Sequence, residues 1–129
     1  MQQHEVDLRH LRRQVESEFL RCAVTYEPAP AGTTLGTAWS KERVEHEVEA
    51  MATLVVDPFF VQYESGDDLQ LPEHRLIGVR GAFVVAEDQS YLLLYDFEAE
   101  DYVLACRQSD GRLTAWGIRG DAASTFLAR

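Results

Sequence analysis

Asparagine is absent from the 129-residue chain, lysine occurs once (Lys41), and isoleucine occurs only at Ile77 and Ile118. Without Asn there is no N-glycosylation acceptor. All three residues have A/T-rich codons, so their scarcity beside plentiful Arg and Ala is what a G/C-rich bacterial genome produces. No apolar run approaches the roughly 20 residues of a membrane-spanning helix. The first residues, Met1 to Glu5, lack the basic start and apolar stretch of a signal peptide, so a cytoplasmic location is expected. The two cysteines, Cys22 and Cys106, form no CxxC and no zinc-ligand spacing. Reduced, core-filling thiols are the expectation, with a redox pair as the alternative. There is no GxGxxG, no GxSxG and no HExxH. Gly32-Thr33-Thr34-Leu35-Gly36 lacks the Gly-Lys-Ser/Thr ending of a phosphate loop.

What the chain has in excess is acid. Asp and Glu number 22 against 12 Lys and Arg, for a formal charge of −10. A phosphate backbone or an anionic lipid surface would repel it, so nucleic acid and membrane are excluded as favoured partners. The length suits one domain with its own core, and the apolar share is too high for a disordered chain.

Leu8, Leu11, Val15, Phe19 and Cys22 recur at helical spacing and predict a first amphipathic helix over about 3–23. Glu5–Arg9 and Arg12–Glu16 are i,i+4 pairs along it. Pro28, Pro30, Gly32 and Gly36 punctuate 24–39, where Val24-Thr25-Tyr26 has the composition of a short strand. Ser40 is a good N-cap for a second helix, about 41–55, with Val44, Val48, Met51 and Val55 as its buried stripe. Asp57-Pro58 should end it. Phe59–Tyr63 reads as a strand, and 64–75 as an acidic loop. Four more strands follow at 76–86, 91–97, 102–107 and 112–118. Their short polar connections include Asp110-Gly111, a favoured hairpin turn with positive φ at both residues. Strand 91–97 is apolar on both faces and should be central. Gly120 should break the last strand, and Asp121 should cap a closing helix over 122–128, held by Phe126 and Leu127. The expected fold is α+β: two N-terminal helices, an antiparallel meander of about five strands, and a short C-terminal helix.

Glu42, Glu45, His46 and Glu49 form a polar stripe opposite the buried face of the second helix. A metal site could use such groups, but the first helix offers no matching Glu-x-x-His, so a solvated or partner-facing surface fits better. No metal or cofactor is expected. Asp67/Asp68 and Glu100/Asp101 fall in predicted turns, where Asp is at home. Arg80, Arg107, Arg112 and Arg119 are spread over the sheet, and pairing with the surplus carboxylates is their simplest role. Arg119-Gly120-Asp121 spells an adhesion tripeptide but serves equally as a strand break and a helix cap.

The segment from Leu76 to Leu127 joins strand–turn–strand pairs, a Tyr-Leu-Leu-Leu-Tyr-Asp strand at 91–96, a Tyr-Val-Leu strand at 102–104 and a closing Ser124-Thr125-Phe126-Leu127 helix. This resembles the C-terminal part of the SMI1/KNR4 (SUKH) superfamily of bacterial toxin-immunity proteins, over about 40% of the chain. That family's glycine-containing segment before the Tyr-Leu strand is replaced here by Ala86-Glu87-Asp88-Gln89-Ser90. The resemblance implies an immunity or inhibitor role.

Three functions follow as expectations. The first is a non-enzymatic acidic binding protein recognising a basic protein surface through Glu42, Glu45, Glu49, Asp67 and Asp68. The second is a small-molecule binder or enzyme of the nuclear-transport-factor-2-like type. Its pocket between sheet and helices would be lined by His46, His74, Arg80, Tyr95 or Asp96. The third is a homodimeric accessory subunit, paired through a sheet edge or an exposed aromatic patch.

Overall fold

A computed structural model describes residues 6–26, 39–66 and 76–129. Its elements run α1 (Leu8–Thr25), α2 (Lys41–Ala52), β1 (Val55–Gly66), β2 (Leu76–Glu87), β3 (Tyr91–Asp96), β4 (Asp101–Arg107), β5 (Leu113–Ala115), β6 (Arg119–Gly120) and α3 (Ala122–Leu127). The α+β class is as expected. The sheet, however, does more than meander. β1–β2, β2–β3, β3–β4 and β4–β5 pair antiparallel, and β5 returns to pair parallel with β1. Five strands thus close into a small barrel, and β6 adds to β4 beside β5. Closure satisfies strand edges that an open meander would leave bare.

Strand alternation divides the apolar residues between two cores. Tyr63, Ala82, Val84, Leu92, Leu94, Val103, Ala105, Leu113 and Ala115 fill the barrel. Val85, Leu93, Tyr102 and Leu104 point outward, where α1, α2 and α3 cover them with Leu11, Val15, Phe19, Val44, Val48, Met51 and Phe126. Phe19 of α1 stacks on Phe126 of α3, ring centroids 6.2 Å apart. β3 is apolar on both faces because one faces the barrel interior and the other the helices.

Several boundaries differ from the sequence reading, each for a local reason. Asp7 caps α1, accepting hydrogen bonds from the amides of Arg9 and His10. Val24 and Thr25 continue α1 rather than forming a strand, because helical hydrogen bonding persists to Tyr26, whose amide donates to Cys22 O. α2 stops at Ala52, and Val55 already belongs to β1. Pro58 therefore lies inside a strand. It sits where the β1–β2 register shifts between Val55 and Phe59, a place that tolerates a missing N–H. β1 also runs through Glu64, Ser65 and Gly66, which the sequence places in a loop. The last strand is broken at Trp116–Gly117, and Gly120 pairs with Tyr102 rather than ending the strand. At Asp110-Gly111 only Gly111 has positive φ, at 91°, and its amide donates to Gln108 O at 2.9 Å. The turn is thus not the two-residue type expected. Ser40 and Asp121 cap α2 and α3 as predicted, accepting from the amides of Arg43 and Ser124.

Candidate functional site

Two features stand out: a polar cluster at the barrel mouth and a groove between α1 and α2. Asp96 ends β3 and is fully buried. It lies on the barrel-facing side because it alternates with Leu92 and Leu94. The following turn bends back so that the amides of Glu98 and Ala99 both donate to its Oδ1 at 3.1 Å. Tyr63 Oη and Arg80 Nε each donate to Oδ2 at 2.7 Å, and Arg80 Nη2 donates to Oδ1 at 3.2 Å. Arg119 Nη2 adds a bond to Oδ2 at 3.1 Å while the same guanidinium holds Asp101 at 2.8 Å. Burial pushes the Asp96 carboxyl up, but the donors from Arg80, Tyr63, Ala99 and Arg119 outweigh it and hold it well below the usual carboxylate range. A general base needs a free lone pair and a pKa near the working pH. Asp96 has neither, so this cluster is a structural plug that joins β1, β2, β3, β4 and β6.

The groove is built from two antiparallel helices. Lys41, the only lysine, donates Nζ to Val24 O at 3.0 Å and Tyr26 O at 3.2 Å. A cation there complements the exposed carbonyls ending α1. It also ties the start of α2 to the end of α1. Arg12 Nη1 on Asp57, at 2.6 Å, fixes α1 near the other end of α2. Between them lies a cavity of about 570 Å³ lined by Glu16, Phe19, Leu20, Ala23 and Val24 of α1 and by Glu45, Val48, Glu49 and Ala52 of α2. Its α1 wall is unusually apolar for a surface, with Leu20 and Val24 each 66% exposed. Glu16 stands on one wall and Glu45 and Glu49 on the other. Glu16 is paired with Arg12; among the described residues, Glu45 and Glu49 take part in no ion pair or hydrogen bond.

Of the predicted partner-facing residues, the structure brings Glu45 and Glu49 to this groove. Glu42 continues their exposed stripe one turn earlier, outside the cavity lining. Asp67 and Asp68 lie outside the described residues. Of the predicted pocket residues, Arg80 and Asp96 meet, but in the plug. Tyr95 faces the opposite side of the sheet, its ring 5.2 Å from Tyr102. His46 is exposed on α2, and His74 lies outside the described residues. Among the described residues, His46, Arg80, Tyr95 and Asp96 therefore do not assemble one pocket. Tyr63 and Arg119 were missed as partners of Asp96, and Asp101 as the second carboxylate on Arg119. A lone carboxylate ending an otherwise apolar strand was the available signal. Leu20 and Val24 were missed as groove walls, although Leu20 falls off the buried stripe of α1. The four sheet arginines are all ion-paired: Arg80 with Asp96, Arg107 with Glu87, Arg112 with Asp110 and Glu64, and Arg119 with Asp96 and Asp101. Cys22 and Cys106 are free thiols, each raised above its ordinary pKa by burial.

Compared with known proteins, the chain matches no family model, no curated protein and no solved structure.

Proposed function

We propose that this is an acidic binding protein that recognises a basic protein surface, with the α1–α2 groove as its docking site. The observation that carries the reading is the conjunction of exposed Leu20 and Val24 with Glu45 and Glu49, carboxylates that nothing described in the chain engages. Apolar surface supplies affinity. Carboxylates at its rim accelerate encounter with a cationic partner and disfavour acidic ones. A toxin-immunity or inhibitor protein is the concrete form of this function, since such proteins act by binding and need no chemistry of their own.

The test is affinity capture from native lysate with wild type and with the double variant Glu45→Lys/Glu49→Lys. A partner with a basic surface, captured at low salt by wild type and lost from the variant, is expected. No captured partner, or a partner retained by the variant, would reject the reading.

A second surface favours homodimerisation. Phe60 is half exposed and lies against Phe83 and Phe97, ring centroids 5.8 and 6.5 Å away, on the outer side of the sheet. Light scattering at high concentration decides this, a monomeric mass excluding it.

A further inference from the structure

We infer that the partner presents a basic amphipathic α-helix, and that this helix lies lengthwise in the α1–α2 groove as the third helix of a layer. This deepens the proposed function and rests on it. The groove walls are two antiparallel helices, and the stretch of α1 from Glu16 to Val24 is about 12 Å long at 1.5 Å per residue. That length matches just over two helical turns. An occupant helix would place apolar residues at i, i+4 and i+7 along such a trough.

The floor and walls suit those anchors. Phe19 and Val48 form the buried floor, while Leu20, Ala23, Val24 and Ala52 leave apolar surface open to solvent. Alanine on both walls, at Ala23 and Ala52, lets an approaching helix sit close. The cavity holds several aliphatic side chains, since a single cavity of roughly 150 Å³ already accommodates benzene.

Charge complementarity selects the flanks. Carboxylates stand on both walls, so a helix in the groove has Glu16 on one side and Glu45 and Glu49 on the other. Lysine or arginine on both shoulders of the apolar stripe would meet them. Acidic shoulders would be repelled from both sides. An extended segment projects its side chains alternately to opposite faces, so it cannot aim a continuous apolar stripe down the trough with basic groups on both flanks.

The experiment uses the full chain and three labelled peptides of about 14 residues. One is a Leu/Ala/Lys helix with Leu at i, i+4 and i+7. One has the same composition in an order that scatters the leucines. One is the helix with Glu in place of Lys. Binding is followed by fluorescence anisotropy, peptide helicity by circular dichroism, and the site by amide chemical-shift mapping. The basic helix should bind at least tenfold tighter than either control, gain helicity on binding, and perturb amides in 16–24 and 45–52. Leu20→Gln and Val24→Gln, which remove apolar surface without adding charge, should each weaken it at least tenfold while leaving the melting curve unchanged. Equal binding of the scattered or the acidic peptide, no binding of the basic helix, no effect of the two variants, or shifts confined to another face would each overturn the inference. Preferential binding of 1-decanol in the groove would do so too, by making it an aliphatic-ligand site. The proposed function fails separately, when the lysate partner is absent or ignores the charge reversal at Glu45 and Glu49.

Discussion

Asp96 shows how one side chain can tie five strands together. Six hydrogen bonds converge on its carboxylate, three of them from guanidinium groups. Removing the charge takes from Arg80 its ion-pair partner and leaves Arg119 with Asp101 alone. Losing one member of a buried ion pair costs about 3–5 kcal/mol. The lower end applies here, because the Arg80 and Arg119 side chains remain 36% and 29% exposed and can rehydrate. Asp96→Asn should therefore destabilise the protein by about 3 kcal/mol at pH 7 in urea unfolding. The pH dependence has a definite sign. The folded carboxyl titrates below its unfolded value of about 3.9, so its stabilisation is complete above that value. It is lost as pH falls through the depressed folded value. The gap between wild type and Asp96→Asn should stay constant from pH 7 to 5 and narrow below about pH 4. A gap that widens on acidification would contradict the plug. Pairing of Arg80 with a carboxylate was expected from the sequence and is found, but that Asp96 is its partner was not legible. Strand spacing shows which face a residue takes, not which distant strand supplies the partner.

At the scale of elements, the helices were more legible than the strands. Ser40 and Asp121 are caps that act within three residues, and the stripe Leu11, Val15, Phe19 is periodic on its own. Strand ends instead depend on partners far along the chain. β1 reaches Gly66 because Glu64, Ser65 and Gly66 pair with Val79, Gly78 and Leu76 of β2, while Glu64 and Ser65 also pair with Thr114 and Ala115 of β5, some fifty residues later. Gly66 itself marks a register irregularity, and a Cβ there would collide with the Trp116 ring. Gly81 is similarly crowded, a Cβ falling 2.8 Å from the Phe60 ring. The two should respond differently to Ala. Trp116 is half-buried against the barrel end and must be displaced, so Gly66→Ala should cost about 1–3 kcal/mol, the usual range for overpacking. Phe60 is half exposed and can swing toward solvent, so Gly81→Ala should cost less than about 1 kcal/mol. Urea midpoints of the two variants check this order, and equal losses would mean that Phe60 is as firmly held as Trp116.

For the molecule as a whole, the charge of −10 was legible at once, and its placement only in part. Glu45 and Glu49 could be assigned to a solvent-facing stripe from helical spacing. That Leu20 and Val24 would stand opposite them could not, because it depends on how α1 packs against α2. Closure of the barrel was hidden for the same reason, since a three-residue strand carries almost no pattern. The role of net charge can be separated from that of its location. Glu45→Lys/Glu49→Lys changes the charge by +4, from −10 to −6. Glu98→Lys/Glu100→Lys, on the exposed turn after β3, makes the same change away from the groove. Long-range attraction alone would make the two variants equivalent. Charges screened over about 8 Å at physiological salt act mainly on what lies beside them. The groove variant should therefore slow association with a basic partner by at least tenfold and flatten its salt dependence. The turn variant should change the rate by less than about twofold, because Glu98 and Glu100 do not line the groove where the partner docks. Stopped-flow association at several ionic strengths distinguishes them. If both variants slow binding alike, the acid acts as a diffuse field, and the groove loses its claim to be where the partner docks.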